Sequence, residues 1–529
     1  MKKLSKIALA VLFAALPLAS CNSGGGNNQS GDLSDVDWDA FKSASGPKTT
    51  VSLWTTIGQT NQTIFNQIIS AFEAEYPGIH IDHTTKGGYD TLFTDIQSAI
   101  PAGTTPTMAY CYSDHVATYL DANMAVMDMT PFMNDPEHGF GTDEVEVTTP
   151  SGDKVTNRTD KEDMIEGYLE DGHNYVINGE KLDGYYSLPF TRSSEVLVYN
   201  KTFFDEHGLD ANKLKTWKGV WEISKTIIEN GWLTVTDGNH GVEAPLGYDS
   251  GDNMFITLSK QLGIPYTTGT DPNPLSFYVY RDQGGKQMTE KLRDYFVSNY
   301  FITQDTANGY TSSAFSNQKC FMTISSTAGI NYCVPEGTVN ADGTEDIPFE
   351  VGISPYPTMD DGSFVDGLDI NTAQAKTDAV ISQGPSICFF SRATMQEKAA
   401  AWLFYKFASG SYWNAVWAGE TGYEPVRNSS YDEQVFLDRV TPSDTDKQSE
   451  KNQKIANGQV HDIVREYGND DRLYTSDVFV GSAQARLAVG DLLNGVISAD
   501  VGEGQNLDDI VEDLFYQYFN TAAQALPSA

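Results

Sequence analysis

Basic residues are scarce in this chain. Its 529 residues carry 34 Lys and Arg against 72 Asp and Glu, a formal net charge of −38. Such a surface repels phosphate backbones and anionic headgroups, so no nucleic-acid partner is expected. It gives no long-range attraction to anionic small molecules and reads as a solvated, soluble exterior. Cysteine is rare too. Beside Cys21 there are Cys111, Cys320, Cys333 and Cys388. They allow three pairings, and nothing in the sequence chooses among these or against buried thiols. No Cys-x-x-Cys pair suggests zinc, and His80 and His83 fall on opposite faces of one strand. The acidic stretch Asn340–Asp346 lacks the ligand spacing of a dedicated calcium loop, leaving calcium a minor alternative. No metal and no cofactor are expected. The Gly-x-Ser-x-Gly elbow, the His-Glu-x-x-His pair and the phosphate-cradling glycine loop are all missing. Among so many acids, no carboxylate pair stands out as that of a surface glycoside hydrolase.

One apolar run is present at the start. Lys2, Lys3 and Lys6 precede Ile7–Leu18, and the run ends in Leu18-Ala19-Ser20-Cys21. A basic stretch, an apolar core and small residues read as an export signal. The core is too short for a stable bilayer span. Ending in Cys, the segment resembles a lipoprotein signal, which makes Cys21 the lipidated first residue of the mature chain. An ordinary cleaved signal with a chance cysteine is the alternative. Residues 22–31, rich in Asn, Ser and Gly, cannot bury a core and read as part of a flexible tether over 21–49. The expectation is a body outside the cell, held to the membrane by lipid.

After Pro47 the pattern turns regular. Thr50–Trp54 alternates as a strand. A helix capped at Thr60 or Asn61 carries Ile64, Ile68, Ile69 and Phe72, and Pro77-Gly78 ends it. Ile79–His83 is a second strand. A helix from Tyr89 with Leu92, Ile96 and Ile100 stops at Pro101–Gly103, and Thr107–Tyr112 is a third strand. This order predicts parallel βαβ units, with ligands gathering beyond the carboxyl ends of the strands. Residues 134–184 read as a polar surface excursion with one helix near Asp163–Leu169. Helices are expected near Trp221–Glu229, at Met288–Val297, after a Thr394–Glu397 capping box, and over Leu507–Phe519. About 480 residues beyond the tether are too many for one core. The residues alone thus describe an exported, tethered α/β protein of two lobes, without a catalytic signature.

Several stretches, in order along nearly the whole mature chain, carry a resemblance. They are Ser52-Leu53-Trp54, Lys86-Gly87-Gly88-Tyr89, Ala102-Gly103 before Pro106, Leu188–Lys201, Thr216-Trp217, Ala314–Met322, Val351–Pro357 and Trp417–Val426. With them the chain resembles the extracellular solute-binding lipoproteins of bacterial ABC importers, in the carbohydrate-binding family and closest to glycerol-3-phosphate-binding proteins. The resemblance implies a type II periplasmic-binding-protein fold with three hinge crossovers. It places Thr50–Phe190 and Thr327–Gln383 in one lobe, and Thr191–Ser326 and Gly384 onward in the other. It also implies a monomer that hands its ligand to an ABC permease and is not an enzyme.

The resemblance carries ligand contacts onto Trp54, Thr55, Tyr89, Tyr112, Asp114, Ser193, Ser326, Thr327, Gly384 and Tyr423. Aromatic faces suit the C–H faces of a sugar, and Asp, Ser or backbone groups suit its hydroxyls. Two departures matter. Asp252 and Phe255 follow Tyr248-Asp249-Ser250-Gly251, where glycerophosphate binders carry two Trp residues. The late segment Val478–Ser482 lacks their phosphate-binding Arg, and Arg486 lies beyond it on an expected helix. Both departures point to a neutral sugar or oligosaccharide, with a glycerophosphate or glycerophosphodiester ligand as the alternative.

Overall fold

The computed structural model describes residues 33–173, 175–177, 180–233, 244–268, 274–307, 309–359, 364 and 375–527. The expected export segment, Cys21 and the first part of the expected tether lie outside them. The described chain opens with the expected βαβ units. Strand β1 (Thr49–Thr55) alternates buried and half-exposed positions. Helix α1 (Gln59–Glu75) buries Phe65, Ile68, Ile69 and Phe72. It starts after Gly58 without a side-chain cap, so neither Thr60 nor Asn61 caps it. Then come β2 (Ile79–Thr85), α2 (Tyr89–Ala102), β3 (Met108–Cys111) and α3 (Ser113–Asp121). Gly103 ends α2 in the left-handed region at φ 67°, where a side chain is disfavoured. β1 pairs in parallel with both β2 and β3. The polar excursion holds two small hairpins and a helix at Glu166–Glu170. It leads to the short strand β4 (Leu188–Pro189).

A second sheet follows. Its elements are β5 (Glu195–Asn200), α4 (Trp217–Glu229), β6 (Leu246–Tyr248), α5 (Gly251–Leu262), α6 (Lys286–Val297), β7 (Phe301–Thr303), β8 (Met322–Ser326) and β9 (Val351–Pro355). The chain then returns as β10 (Ser386–Phe389), α7 (Met395–Ala408) and α8 (Ser411–Thr421). The capping box of Thr394 and Glu397 opens α7 as the sequence implied. Three long helices close the chain: α9 (Gln448–Asn469), α10 (Ser482–Ile497) and α11 (Leu507–Ala523). Strand orders are β2-β1-β3-β10-β4 and β7-β6-β8-β5-β9. Each sheet has its own apolar core, and two α/β lobes result.

The described chain crosses between lobes three times, and the lobe boundary expected between Ser326 and Thr327 is not one of the crossings. Val351–Pro355 pairs with β5 of the second sheet, so the stretch after Thr327 does not rejoin the first lobe. Ser386–Phe389 pairs with β3, and the helices after it pack on the first core through Phe404 and Trp417 against Phe65. The reason is physical. A short strand beside a crossover has the same apolar pattern in either sheet, and only its pairing decides where it belongs. The crossings lie near 191–194, near 382–385 and between α8 and α9. At the hinge they knit together as antiparallel bridges, Arg192 with Glu424 and Ser193 with Gln383. Helix α10 straddles the junction: Ala483 packs with the first core, and Ala485 and Ala488 with the second.

Cys111, Cys320, Cys333 and Cys388 are buried thiols. The Asn340–Asp346 segment forms a small hairpin whose turn is held by Asp342 accepting from Thr344. Among the described residues no cluster of metal-ligating side chains occurs, and no helix is long and apolar enough to cross a membrane.

Candidate functional site

Carboxyl ends of parallel strands from both sheets converge on one cleft. From the first lobe come the Gly87-Gly88-Tyr89 turn after β2 and Tyr112–His115 after β3. From the second come Asp249–Asn253 after β6, Thr303–Asp305 after β7 and Ser326 at the end of β8. They enclose about 710 Å³. A smaller chamber of about 390 Å³ adjoins it and reaches to Asp171, Tyr266 and Asp477. Tyr112, Asp114, Gln383 and Arg486 line both chambers. A further hollow of about 940 Å³ is lined from Ile165–Asp171, Asn428–Thr441 and Gly458–Thr475. It lies away from the carboxyl ends of the parallel strands in either five-stranded sheet, where an α/β fold gathers its ligand.

Aromatic rings form one wall of the cleft. Tyr89 and Tyr112 face each other with centroids 4.4 Å apart at 31°. The Tyr89 hydroxyl lies near the hydroxyls of Thr56, Tyr423 and Tyr112. Tyr310 stands opposite, 64% exposed. The remaining surface is strongly acidic. Asp90, Asp114, Glu195, Asp249, Asp252, Asp305 and Asp491 line the larger chamber, and among the described residues Arg486 is its one guanidinium. Arg486 Nε sits 2.5 Å from Asp252 Oδ2. Burial opposes its charge, but Asp252 and Asp114 outweigh that and hold it firmly protonated. At the cleft floor the buried Glu195 accepts from the Tyr248 hydroxyl at 2.7 Å and from Asn253 Nδ2 at 2.8 Å. Burial pushes Glu195 up to about 7. His115 is buried, which lowers its pKa and keeps the ring neutral.

The structure gathers part of the expected set. Tyr89, Tyr112, Asp114, Asp252 and Ser326 line the larger chamber, Gly384 lines the smaller one, and the Tyr423 hydroxyl lies near that of Tyr89. Five expected residues lie elsewhere. Trp54 is half-buried beneath the Lys86 ammonium, 3.8 Å from the ring centroid, and lines neither chamber. Thr55 is buried with its hydroxyl 2.7 Å from His83 Nε2. Ser193 is buried and pairs through its backbone with Gln383. The Thr327 hydroxyl accepts from the Ser194 N–H. Phe255 is fully buried one turn below Asp252, in the second core. These positions follow strand ends or crossings in sequence, but their side chains point inward.

Sequence reading missed Glu195, Asn253, Gln383 and Arg486. Glu195 had a signal: a lone carboxylate opening the apolar run Val196-Leu197-Val198 needs a reason to be buried. Arg486 had none, because a basic residue on a helix is ordinarily solvated.

The family model described as bacterial extracellular solute-binding protein matches residues 67–451. The chain belongs to that family. It is 24% identical over 411 residues to the sn-glycerol-3-phosphate-binding periplasmic protein UgpB of Shigella flexneri, covering 75% of this chain and 79% of that protein. The Escherichia coli K12 protein of the same name is 23% identical over the same length. Among solved structures, UgpB from Mycobacterium tuberculosis in complex with glycerophosphocholine aligns with a TM-score of 0.61 at 15% identity, over 91% of this chain and 99% of that one. Maltose-bound T. maritima MalE3 gives 0.61 at 12%, over 89% and 99%. The GacH receptor of Streptomyces glaucescens, solved with acarbose, gives 0.60 at 14%, over 91% and 100%. The family and its named relatives are binding proteins of ABC transporters rather than enzymes, and the two-lobed α/β fold is theirs.

Proposed function

We propose that the protein captures a neutral sugar or oligosaccharide in the inter-lobe cleft and delivers it to an ABC permease. Closure of the lobes buries the ligand and gives the permease a loaded shape to recognise. One observation carries the choice of ligand: the guanidinium that the described residues bring to an otherwise acidic, tyrosine-walled chamber is already paired with Asp252. Tyr89, Tyr112 and Tyr310 supply faces for sugar C–H groups. The carboxylates, Asn253, Ser326 and Gln383 supply hydroxyl partners. Two chambers sharing one wall suit a ligand of more than one ring. The names of the relatives favour a glycerophosphate ligand instead, but the chamber's charge opposes a phosphate.

A thermal-shift screen of neutral mono- and oligosaccharides against glycerol 3-phosphate and glycerophosphocholine tests this reading. A ligand bound only by the folded form raises the unfolding midpoint. A sugar that stabilises the protein and is recovered unchanged supports the proposal. Stabilisation by the phosphate compounds alone overturns it. We further assign lipid attachment to Cys21, which places the body at the outer face of the cell membrane. Cys21→Ser should release the protein from the membrane fraction.

A further inference from the structure

Arg486 lies where the two chambers meet, on the helix that straddles both lobes. Its Nε contacts Asp252 of its own lobe at 2.5 Å, and a second guanidinium nitrogen donates to Asn253 Oδ1. Asp114, on the first turn of α3, approaches from the other lobe and lines the same two chambers. The pair is not sealed: Arg486 and Asp252 keep about a quarter of their side-chain surfaces open, 25% and 24%. It therefore stays open to the cleft.

Resting on the receptor reading above, we propose that Asp252 and Asp114 set the charge of the ligand by holding Arg486 as an internally neutralised cation. An Arg–Asp pair presents a row of N–H donors beside carboxylate acceptors. Adjacent hydroxyls of a sugar each donate and accept, so a vicinal diol satisfies both members at once. A phosphate oxygen only accepts. To reach the free N–H donors of Arg486 it must come up beside Asp252 and Asp114, whose charges already offset the guanidinium and repel a second anion. The same two residues thus select an uncharged diol and reject a phosphate, although an arginine stands in the cleft. Replacing the two carboxylates by their amides should turn this arginine outward as an anion receptor.

The test uses the full mature chain and isothermal titration with glycerol 3-phosphate and inorganic phosphate. Wild type should bind neither. Asp114→Asn/Asp252→Asn should bind glycerol 3-phosphate at least about tenfold more tightly than wild type. The gain should weaken with salt and vanish when Arg486→Gln is added. Tight binding of glycerol 3-phosphate by wild type overturns the neutral-sugar reading itself. A cooperatively folding double variant that gains nothing, while wild type still binds its sugar, overturns only this inference. The reciprocal variant keeps the question open to refutation if the double variant fails to fold. Arg486→Gln leaves Asp252 and Asp114 unneutralised and should favour D-glucosamine over D-glucose by at least about tenfold relative to wild type. An unchanged ratio overturns the assignment.

Discussion

The Arg192 guanidinium donates to the Gly384 carbonyl at 2.9 Å and ties the first hinge crossing to the second. The same side chain reaches Tyr168 O and Asp171 Oδ2, both at 3.0 Å, so one buried arginine joins its own crossing to two further segments. Gly384 sits at φ 129°, and a Cβ there would lie 2.7 Å from Arg192 Cα. Neither strain nor contact can be relieved by a rotamer change. Gly384→Ala should cost about 2 kcal/mol or more of stability and shift the open–closed balance. Calorimetry and small-angle scattering with and without sugar check this. A variant with unchanged unfolding and unchanged closure would remove the hinge role.

Tyr89 presents its ring to the cleft, with the hydroxyls of Thr56, Tyr423 and Tyr112 near its own. Tyr89→Ala should weaken sugar binding at least about tenfold by removing the platform. Tyr89→Phe keeps the ring and loses only the hydroxyl that lies near Thr56, Tyr423 and Tyr112, so a smaller loss of about threefold to fivefold is expected. Titration calorimetry separates the two. Equal losses would show that the hydroxyl network, rather than the ring face, is what the ligand needs.

Trp54 serves as the contrast. It lies under Lys86, which is itself paired with Asp95 at 3.0 Å. Trp54→Leu should change sugar affinity by less than about twofold while lowering stability by about 1 kcal/mol. A tenfold loss of affinity would place this ring in the site after all.

Glu195 should give the cleft a pH dependence. Burial lifts its folded value to about 7, while an unfolded glutamate titrates near 4.5. The native state therefore holds the proton more tightly. Stability from this group is fully present below about 4.5 and is lost as pH rises through 7, by about 3 kcal/mol in the limit. Glu195→Gln keeps partners for Tyr248 and Asn253 and should flatten that decline relative to wild type between pH 5 and 8. Urea titrations at several pH values read the difference, and parallel slopes for the two proteins would refute it.

Much of the architecture was legible because local periodicity survives folding. The alternation of Thr50–Trp54, the i, i+4 row of Leu92, Ile96 and Ile100, the Gly103 stop and the Thr394–Glu397 capping box each describe interactions within a few residues. The parallel βαβ start therefore followed from sequence, and so did the strand ends on which Tyr89, Tyr112 and Asp114 stand. Trp54, Thr55, Ser193, Phe255 and Thr327 were misplaced for one shared reason. Proximity to a strand end or a crossing does not say which way a side chain turns.

The sequence by itself determined an acidic chain built from strands and helices of readable length, with an export-like start and a series of stretches in family order. Only the tertiary structure decided that Val351–Pro355 joins the second sheet and Ser386–Phe389 the first. It alone set Arg486 against Asp252 and Glu195 beneath Tyr248, pairs separated by 234 and 53 positions in sequence. Such contacts depend on how sheets are paired and lobes are closed, and no residue's neighbours along the chain encode them.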